Sequence, residues 1–487
     1  MKIDFVDSTS SVKENFLQSL ALLYLPCESF SVNDTGENLL IVQVHEENGK
    51  YIARVNLKIK DKQAFSEKVC KADNARLAVK NLIGRAFLEA AYEVFGYKSP
   101  YGLFTGIRPA KIASDYLRNN SLKNTLDILQ KEYLFLPEKA ELCVMTAQNE
   151  MNLTQQVEDK SCSLYISIPF CPSKCRYCSF VSSTTPRLLS LIPEYLDKLI
   201  KELHEISCTI KSLGLRLKTV YVGGGTPGIL TKEQIELITY SVGKLFNITE
   251  DIEFTFEAGR PDCLTYEKLC AIKDGGVSRI SINTQTANND ILKSVGRKHT
   301  FEDYVECMNM ARKAGIKCIN TDLISGLPGE STHSFCESLD RVCEIAPENI
   351  TVHSFTLKKS SEYKITSTAC IDANSKNAGE MVLYAQKKLI SEGFKPYYMY
   401  RQKNTVGNLD NTGYAKNGYE CLYNVYMMGE YHTVFAAGAG AVSKYVSKDR
   451  SRIERAFSPK YPYEYLDEKK YAGFDRNFAF NFYNKIY

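Results

Sequence analysis

Between residues 160 and 360 the apolar positions fall into a regular beat. Short β-rich runs at 164–168, 219–222, 252–256, 279–282, 318–323 and 350–355 alternate with longer stretches of helical character at 193–213, 232–245, 266–273, 301–314 and 334–344. The short runs predict strands and the longer, amphipathic ones predict helices. Six strands alternating with helices imply parallel βαβ units, and hence an open or closed barrel. In such a barrel the chemistry sits at the C-terminal ends of the strands.

The flanks follow other patterns. In residues 1–157, apolar runs at 39–44 and 51–59 flank Glu46-Glu47-Asn48-Gly49, a hairpin signal. A helix is predicted over 74–94, ending at Gly96, and further helices over 110–117, 125–133 and 137–153. This section reads as an accessory α+β domain. Residues 376–487 open with a helix over 378–392. The aromatic-rich Tyr397-Tyr398-Met399-Tyr400-Arg401, a Gly/Asn-rich stretch and an apolar run at 434–442 come next, before a Tyr/Phe-rich tail. The expected fold is therefore α/β: a six-unit barrel over 158–375, the N-terminal α+β domain, and a C-terminal α/β extension over 376–487 that covers the substrate side.

Composition narrows this little. A hydrophobic content of 44% and charged content of 24% in 487 residues are those of an ordinary globular protein. The net charge of +4 is small for the length, and no basic run tracks a nucleic-acid backbone. The N-terminus lacks the apolar core of a secretory signal, and no uncharged stretch approaches the roughly 20 residues needed to span a bilayer. The chain thus reads as cytoplasmic, without a nucleic-acid partner or a membrane span. Most of its 16 cysteines are scattered and read as small buried hydrophobes.

One group is not scattered. Cys171, Cys175 and Cys178 stand in C-x3-C-x2-C spacing just after the first barrel strand. One short loop can present three such thiolates to a [4Fe–4S] cluster, leaving the fourth iron open to a ligand. A structural zinc loop is the alternative, but it would close with a fourth Cys or His at short spacing, and none is near. The next strand ends carry their own candidates: Gly223-Gly224-Gly225-Thr226-Pro227, Glu257, the segment Asn283–Gln285, Asp322, and the segment His353–Thr356. A strand ending in three glycines lets bare backbone amides approach a ligand.

A triple-cysteine loop after the first strand of a six-unit barrel resembles the radical S-adenosylmethionine (SAM) superfamily, so the fold expected is a partial (β/α)6 radical SAM barrel. The resemblance narrows to the oxygen-independent coproporphyrinogen III oxidase/dehydrogenase group. It does so through Tyr165-Ile-Ser-Ile-Pro-Phe-Cys171, the Gly-Gly-Gly-Thr-Pro segment, Phe256-Glu257-Ala258, Ser281-Ile-Asn-Thr-Gln285 and Asn320-Thr-Asp-Leu-Ile-Ser-Gly-Leu-Pro328. The loop Tyr101–Pro109 and the segment Tyr400–Leu409 resemble the branch called HemZ. The resemblance implies a [4Fe–4S] cluster on Cys171, Cys175 and Cys178, and SAM held by Tyr165, Tyr177, Gly224, Gly225, Thr226, Glu257, Gln285, Arg297 and Asp322. Whether one SAM or two bind is left open.

It also implies an oxidoreductase of haem biosynthesis, which removes a hydrogen from each of two propionates and releases carbon dioxide to leave vinyl groups. A flavodoxin or ferredoxin-type protein would supply the electron. A tetrapyrrole with four propionates calls for cations and aromatic walls; Tyr398, Tyr400, Arg401 and Lys403 offer both. The sequence departs from the group at two points. Phe180 stands where the oxidase carries a further cysteine, a feature shared with the related haem chaperone. Tyr423 and Val442 stand where that chaperone tends to carry histidine. Three readings follow: a tetrapyrrole-decarboxylating radical enzyme, a haem-delivery protein, and a nucleic-acid-modifying radical enzyme. The near balance of charge over residues 1–155 argues against the last.

Overall fold

The protein was examined as a computed structural model. It describes residues 1–25, 28–30, 37–71, 75–155, 157–180, 182–356, 368–402 and 405–485, without the side chains of 75–77 and 368–375. Its described strands fall into two sheets.

The smaller sheet is N-terminal. Strands β1 (Lys2–Asp7), β2 (Leu39–Glu47), β3 (Lys50–Ile59) and β4 (Lys62–Cys70) lie side by side in that order. The predicted hairpin is β2–β3, with the turn at Asn48 and Gly49 in the left-handed conformation that Asn and Gly tolerate best. Helix Ala75–Phe95 covers one face, burying Val79, Leu82, Ile83, Ala86 and Phe87 against Leu40, Val42, Ala53 and Val55.

The larger sheet holds the barrel. Strands β5 (Ser161–Ile168), β6 (Arg216–Gly224), β7 (Glu253–Gly259), β8 (Arg279–Ile282), β9 (Ile319–Ser325) and β10 (Asn349–Ser354) run parallel in sequence order, each pair joined through at least one helix. All six expected strands are therefore present, as the partial (β/α)6 arrangement. Its inter-strand helices include Ile192–Ser212, Lys232–Phe246, Tyr266–Asp274, Phe301–Lys313 and Thr332–Ile345. The C-terminal residues build no sheet of their own. Strands β11 (Lys395–Arg401) and β12 (Asp410–Ala415) add antiparallel beside β10. At the other edge β13 (Thr433–Ala437) adds parallel to β5, followed by β14 (Val442–Val446) and β15 (Ile453–Phe457).

One hydrophobic core runs beneath this whole sheet. It includes Leu164, Ile166, Val220, Phe254, Ile280 and Val352, and it extends to Tyr101, Ala113, Leu142 and Ala147 from the segment 99–154. The barrel floor, at the N-terminal strand ends, is closed by residues 419–429. Glu253, the first residue of β7, accepts from the amides of Leu422 (2.8 Å) and Tyr423 (3.0 Å) at the start of helix Leu422–Gly429. Arg279, the first residue of β8, donates to the carbonyls of Tyr419 (3.2 Å) and Glu420 (2.9 Å). Above them Tyr165, Tyr221 and Tyr423 stack, with the Tyr221 and Tyr423 ring centroids 4.5 Å apart. No helix among the described residues is long and apolar enough to cross a membrane.

Candidate active site

The cysteine loop leaves the top of β5 and is pinned at several points. The Cys171 amide donates to Ser183 O (3.1 Å) and the Ser183 amide to Pro169 O (2.8 Å). The Cys178 amide closes a turn on Cys175 O (3.0 Å). Arg176 docks the loop on helix Asn289–Ser294 through its amide to Val295 O (3.0 Å) and its Nη1 to Ser294 O (3.1 Å). All three thiols line one cavity of about 260 Å³, with Cys171 and Cys175 buried and Cys178 half-buried. Each sulfur faces a donor. Thr226 Oγ1 lies 3.3 Å from Cys171 Sγ, Arg260 Nη1 lies 3.9 Å from Cys175 Sγ, and the Phe180 amide donates to Cys178. Burial pushes the Cys171 thiol up to about 11.

The glycine run explains itself by approach distances. A Cβ on Gly225 would lie 2.5 Å from Phe170 O and 3.0 Å from Cys171 Sγ. One on Gly223 would lie 2.9 Å from Glu257 Oε2. Gly224, at φ +112°, adopts a conformation that side-chain-bearing residues avoid. Thus β6 can press against the cysteine loop, and the amides of Gly225 and Thr226 bond back to Ile168 O (2.9 Å) and Phe170 O (2.8 Å).

Glu257 and Asp322 face the cavity from within β7 and β9 rather than from beyond their ends. Burial raises the Glu257 carboxyl to about 7, although Tyr221 Oη donates to its Oε1 at 2.5 Å. Asn320 Nδ2 donates to Asp322 Oδ1 (2.8 Å), and His353 Nε2 lies 3.7 Å from Asp322 Oδ2. Burial alone would lower His353; its pairing with Asp322 outweighs this and raises it. Gln285 sits at φ +74° and bridges to β9, donating its amide to Asp322 O (2.9 Å). Arg297 is buried, donating Nε to Tyr177 Oη (3.1 Å) and Nη1 to Asn283 O (2.7 Å).

Of the residues singled out in the sequence, the three cysteines, Tyr177, Gly224, Gly225, Thr226, Glu257, Gln285, Arg297, Asp322 and Tyr400 line this one cavity. Tyr165 does not: its hydroxyl bonds to Ser167, and its ring packs beside Tyr221 and Tyr423 in the barrel interior. Arg401 is also elsewhere. Successive side chains of a strand point to opposite faces, so with Tyr400 facing the cavity Arg401 faces away. Its Nη1 donates to Phe104 O (2.7 Å) and Gly106 O (3.3 Å), its Nη2 to Asn408 Oδ1, and its fork lies over the Tyr101 ring. Burial lowers it only to about 10, so it remains a cation, spent on the N-terminal loop. Lys403 lies outside the described residues. Sequence reasoning missed Arg260 and Asn411, both on the cavity wall. The signal for Arg260 was available: it follows Glu257 by three residues at the end of β7.

Three soft sulfur donors converging on one cavity, against a strand with no room for a Cβ, fit an iron–sulfur cluster held by three cysteines. Among the described residues no group of three or more His, Cys, Asp or Glu is gathered tightly enough for a single metal ion. A multi-iron group makes a different demand, because each thiolate meets its own iron.

Comparison with known proteins bears on the same residues. The radical SAM superfamily profile matches residues 165–342. The oxygen-independent coproporphyrinogen-III oxidase-like protein HemZ of Bacillus subtilis is 36% identical over 392 residues, 80% of this chain and 78% of that protein. The heme chaperone HemW of Haemophilus influenzae is 29% identical over 330 residues, 65% of this chain and 80% of that one. Among solved structures, coproporphyrinogen III oxidase (HemN) from Escherichia coli gives a TM-score of 0.49 at 21% identity, over 66% of this chain and 71% of that one. The chain belongs to the radical SAM superfamily, in the group of HemZ-like, oxygen-independent coproporphyrinogen-III oxidase-like proteins.

Proposed function

We propose that the chain is a radical SAM oxidoreductase of haem biosynthesis that converts coproporphyrinogen III to protoporphyrinogen IX by oxidative decarboxylation of two propionates. The observation that carries the radical part is the convergence of three thiols, two carboxylates and two buried arginines on one cavity at the C-terminal strand ends. The substrate rests on the likeness to HemZ.

In this reading Cys171, Cys175 and Cys178 hold a [4Fe–4S] cluster. SAM lies against Tyr177, Gly224, Gly225, Thr226, Glu257, Gln285, Arg297 and Asp322. When bound, cluster and SAM together supply one-electron cleavage of the sulfonium to a 5′-deoxyadenosyl radical, with the electron delivered by a flavodoxin or ferredoxin-type partner. The chain's own task is binding and orientation. Glu257 and Asp322 accept from hydroxyl or ammonium donors, and the Arg297 fork suits a carboxylate. Tyr221 fixes the rotamer of Glu257 from below. Thr226 braces the cysteine loop twice: its hydroxyl points at Cys171 Sγ and its amide donates to Phe170 O. Tyr400 and Phe355 give the macrocycle an aromatic wall, and Phe180, 68% exposed, stands at the rim.

The test is anaerobic reconstitution of the cluster, followed by incubation with SAM, a reductant and coproporphyrinogen III. 5′-Deoxyadenosine together with a vinyl-bearing product is expected. 5′-Deoxyadenosine with the porphyrinogen unconsumed would leave the radical chemistry and remove the substrate. A second reading, haem delivery, draws on the likeness to HemW and on Phe180. It requires stable haem binding by the purified protein and no decarboxylation.

A further inference from the structure

Arg260 is a buried guanidinium that the cofactor contacts above do not use. It is 3% exposed and stands at the end of β7, on the wall of the cysteine cavity. Its donors divide between two jobs. Nε and Nη2 make a bidentate pair with Asp262, at 2.9 Å to Oδ1 and 2.8 Å to Oδ2. Nη1, on the other side of the fork, reaches the cysteine loop: Ser173 Oγ at 2.8 Å, Ser173 O at 3.4 Å and Cys175 Sγ at 3.9 Å. Asp262 therefore aims the guanidinium, and the nitrogen it leaves over is the one nearest the sulfur.

We infer that Arg260 is a positioning residue that raises the reduction potential of a cluster bound through Cys175, which rests on the cluster reading above. Reduction adds one negative charge to the cluster and its sulfurs. A fixed cation beside one of those sulfurs stabilises the reduced form more than the oxidised form, and hydrogen bonding to a cluster sulfur acts in the same direction. Both effects are strong here because the pair is buried, where water screens charge poorly. The Asp262 carboxylate offsets part of the charge. It binds the Nε–Nη2 edge, so the cation keeps the position closer to Cys175 through Nη1. Arg297, also on the cavity wall, has its Nε and Nη1 on Tyr177 and Asn283 instead. Arg260 is thus a buried cationic side chain with a nitrogen 3.9 Å from a cluster-loop sulfur.

The test is an EPR-monitored redox titration of the anaerobically reconstituted full chain without SAM or substrate, with iron and sulfide measured on the same samples. In Arg260→Met the cluster is expected to form, and its reduced-to-oxidised ratio at a fixed potential to fall about tenfold, a shift of about 59 mV to lower potential for a one-electron couple. Arg260→Lys, which keeps a charge without the fork, is expected to fall less. A fully loaded R260M titrating with the wild type, or R260K falling as far as R260M, overturns the inference. If R260M binds no iron, Asp262→Asn decides, because removing the countercharge is expected to raise the potential. A D262N cluster at or below the wild-type potential overturns the inference as well. Wild-type protein that takes up no cluster instead sinks the reading on which the inference rests.

Discussion

Gly225 has the least room of the glycines that line the site. The nearest obstacle to a Cβ there is the Phe170 carbonyl, 2.5 Å away, and backbone cannot turn aside as a long side chain can. Gly225→Ala is expected to cost about 1–3 kcal/mol, in the range of overpacked cores. It should also lower iron uptake, because the atoms displaced belong to the loop that carries Cys171; melting temperature and iron content measure the two effects. Cys175→Ala should abolish cluster assembly, read as iron and sulfide per chain, and a variant retaining a full cluster would refute the ligand assignment. Glu257 sets a pH dependence. Its carboxyl is raised to about 7 against an ordinary 4.5, so between those values the folded chain holds a proton that the unfolded chain has released. Its stabilising contribution is present below about pH 4.5 and is lost as pH rises to 7, a fall of about 3 kcal/mol at most. Denaturant melts at pH 5 and pH 8 should show Glu257→Gln gaining on the wild type at the higher pH. Single residues were read from the sequence with mixed success for a physical reason. Motif spacing reveals which residues leave a strand end together, as for the three cysteines after β5. It does not reveal facing: Tyr400 and Arg401 are adjacent, and the strand period sends only one of them to the cavity.

Elements were legible in proportion to how local their signal is. Strands β5 to β10 alternate with amphipathic helices, so a regular beat of short β-rich runs marks them even where Glu257 or Asp322 turns into the cavity. Strand β4 reads KQAFSEKVC, with one face solvated and three charged residues in nine, and the sequence reading passed over it. Strand β12 is held by β10 and carries β11 on its outer edge, while β13 is held by β5 from more than 260 residues away. No local window contains those partners. The helix Leu422–Gly429 is another such element. It has no side-chain cap of its own, and its first amides are satisfied by Glu253 from β7. Arg279 is buried, and Glu253, with a side chain 9% exposed, lies 3.5 Å from it. Glu253→Ala would strand that arginine and two helix amides. Losing one partner of a buried pair costs about 3–5 kcal/mol, so a clear drop in melting temperature is expected, with Glu253→Gln intermediate.

At the scale of the molecule, the two largest hydrophobic cores lie one under the small N-terminal sheet, the other shared by the barrel and the helices of residues 109–154. The second union has an ionic rivet. Lys139, on helix Pro137–Thr154, meets Asp410 of β12 at 2.6 Å, both side chains buried, and Tyr101 Oη donates to the same carboxylate oxygen at 2.6 Å. Among the described residues, no wall residue of the cysteine cavity comes from the first 170 positions. A chain beginning near residue 98 is therefore expected to take up as much iron as the full chain, while Lys139→Met in the full chain should lower its melting temperature. The plugged floor of the barrel has a kinetic consequence. With residues 419–429 and the tyrosine stack beneath it, the cavity is a cul-de-sac, entered from the face where the cysteine loop lies. Whatever binds deeper must arrive first and depart last. Turnover should accordingly follow a compulsory order, with the outer ligand competing against the release of the inner one, and product-inhibition patterns would display that sequence of arrivals and departures.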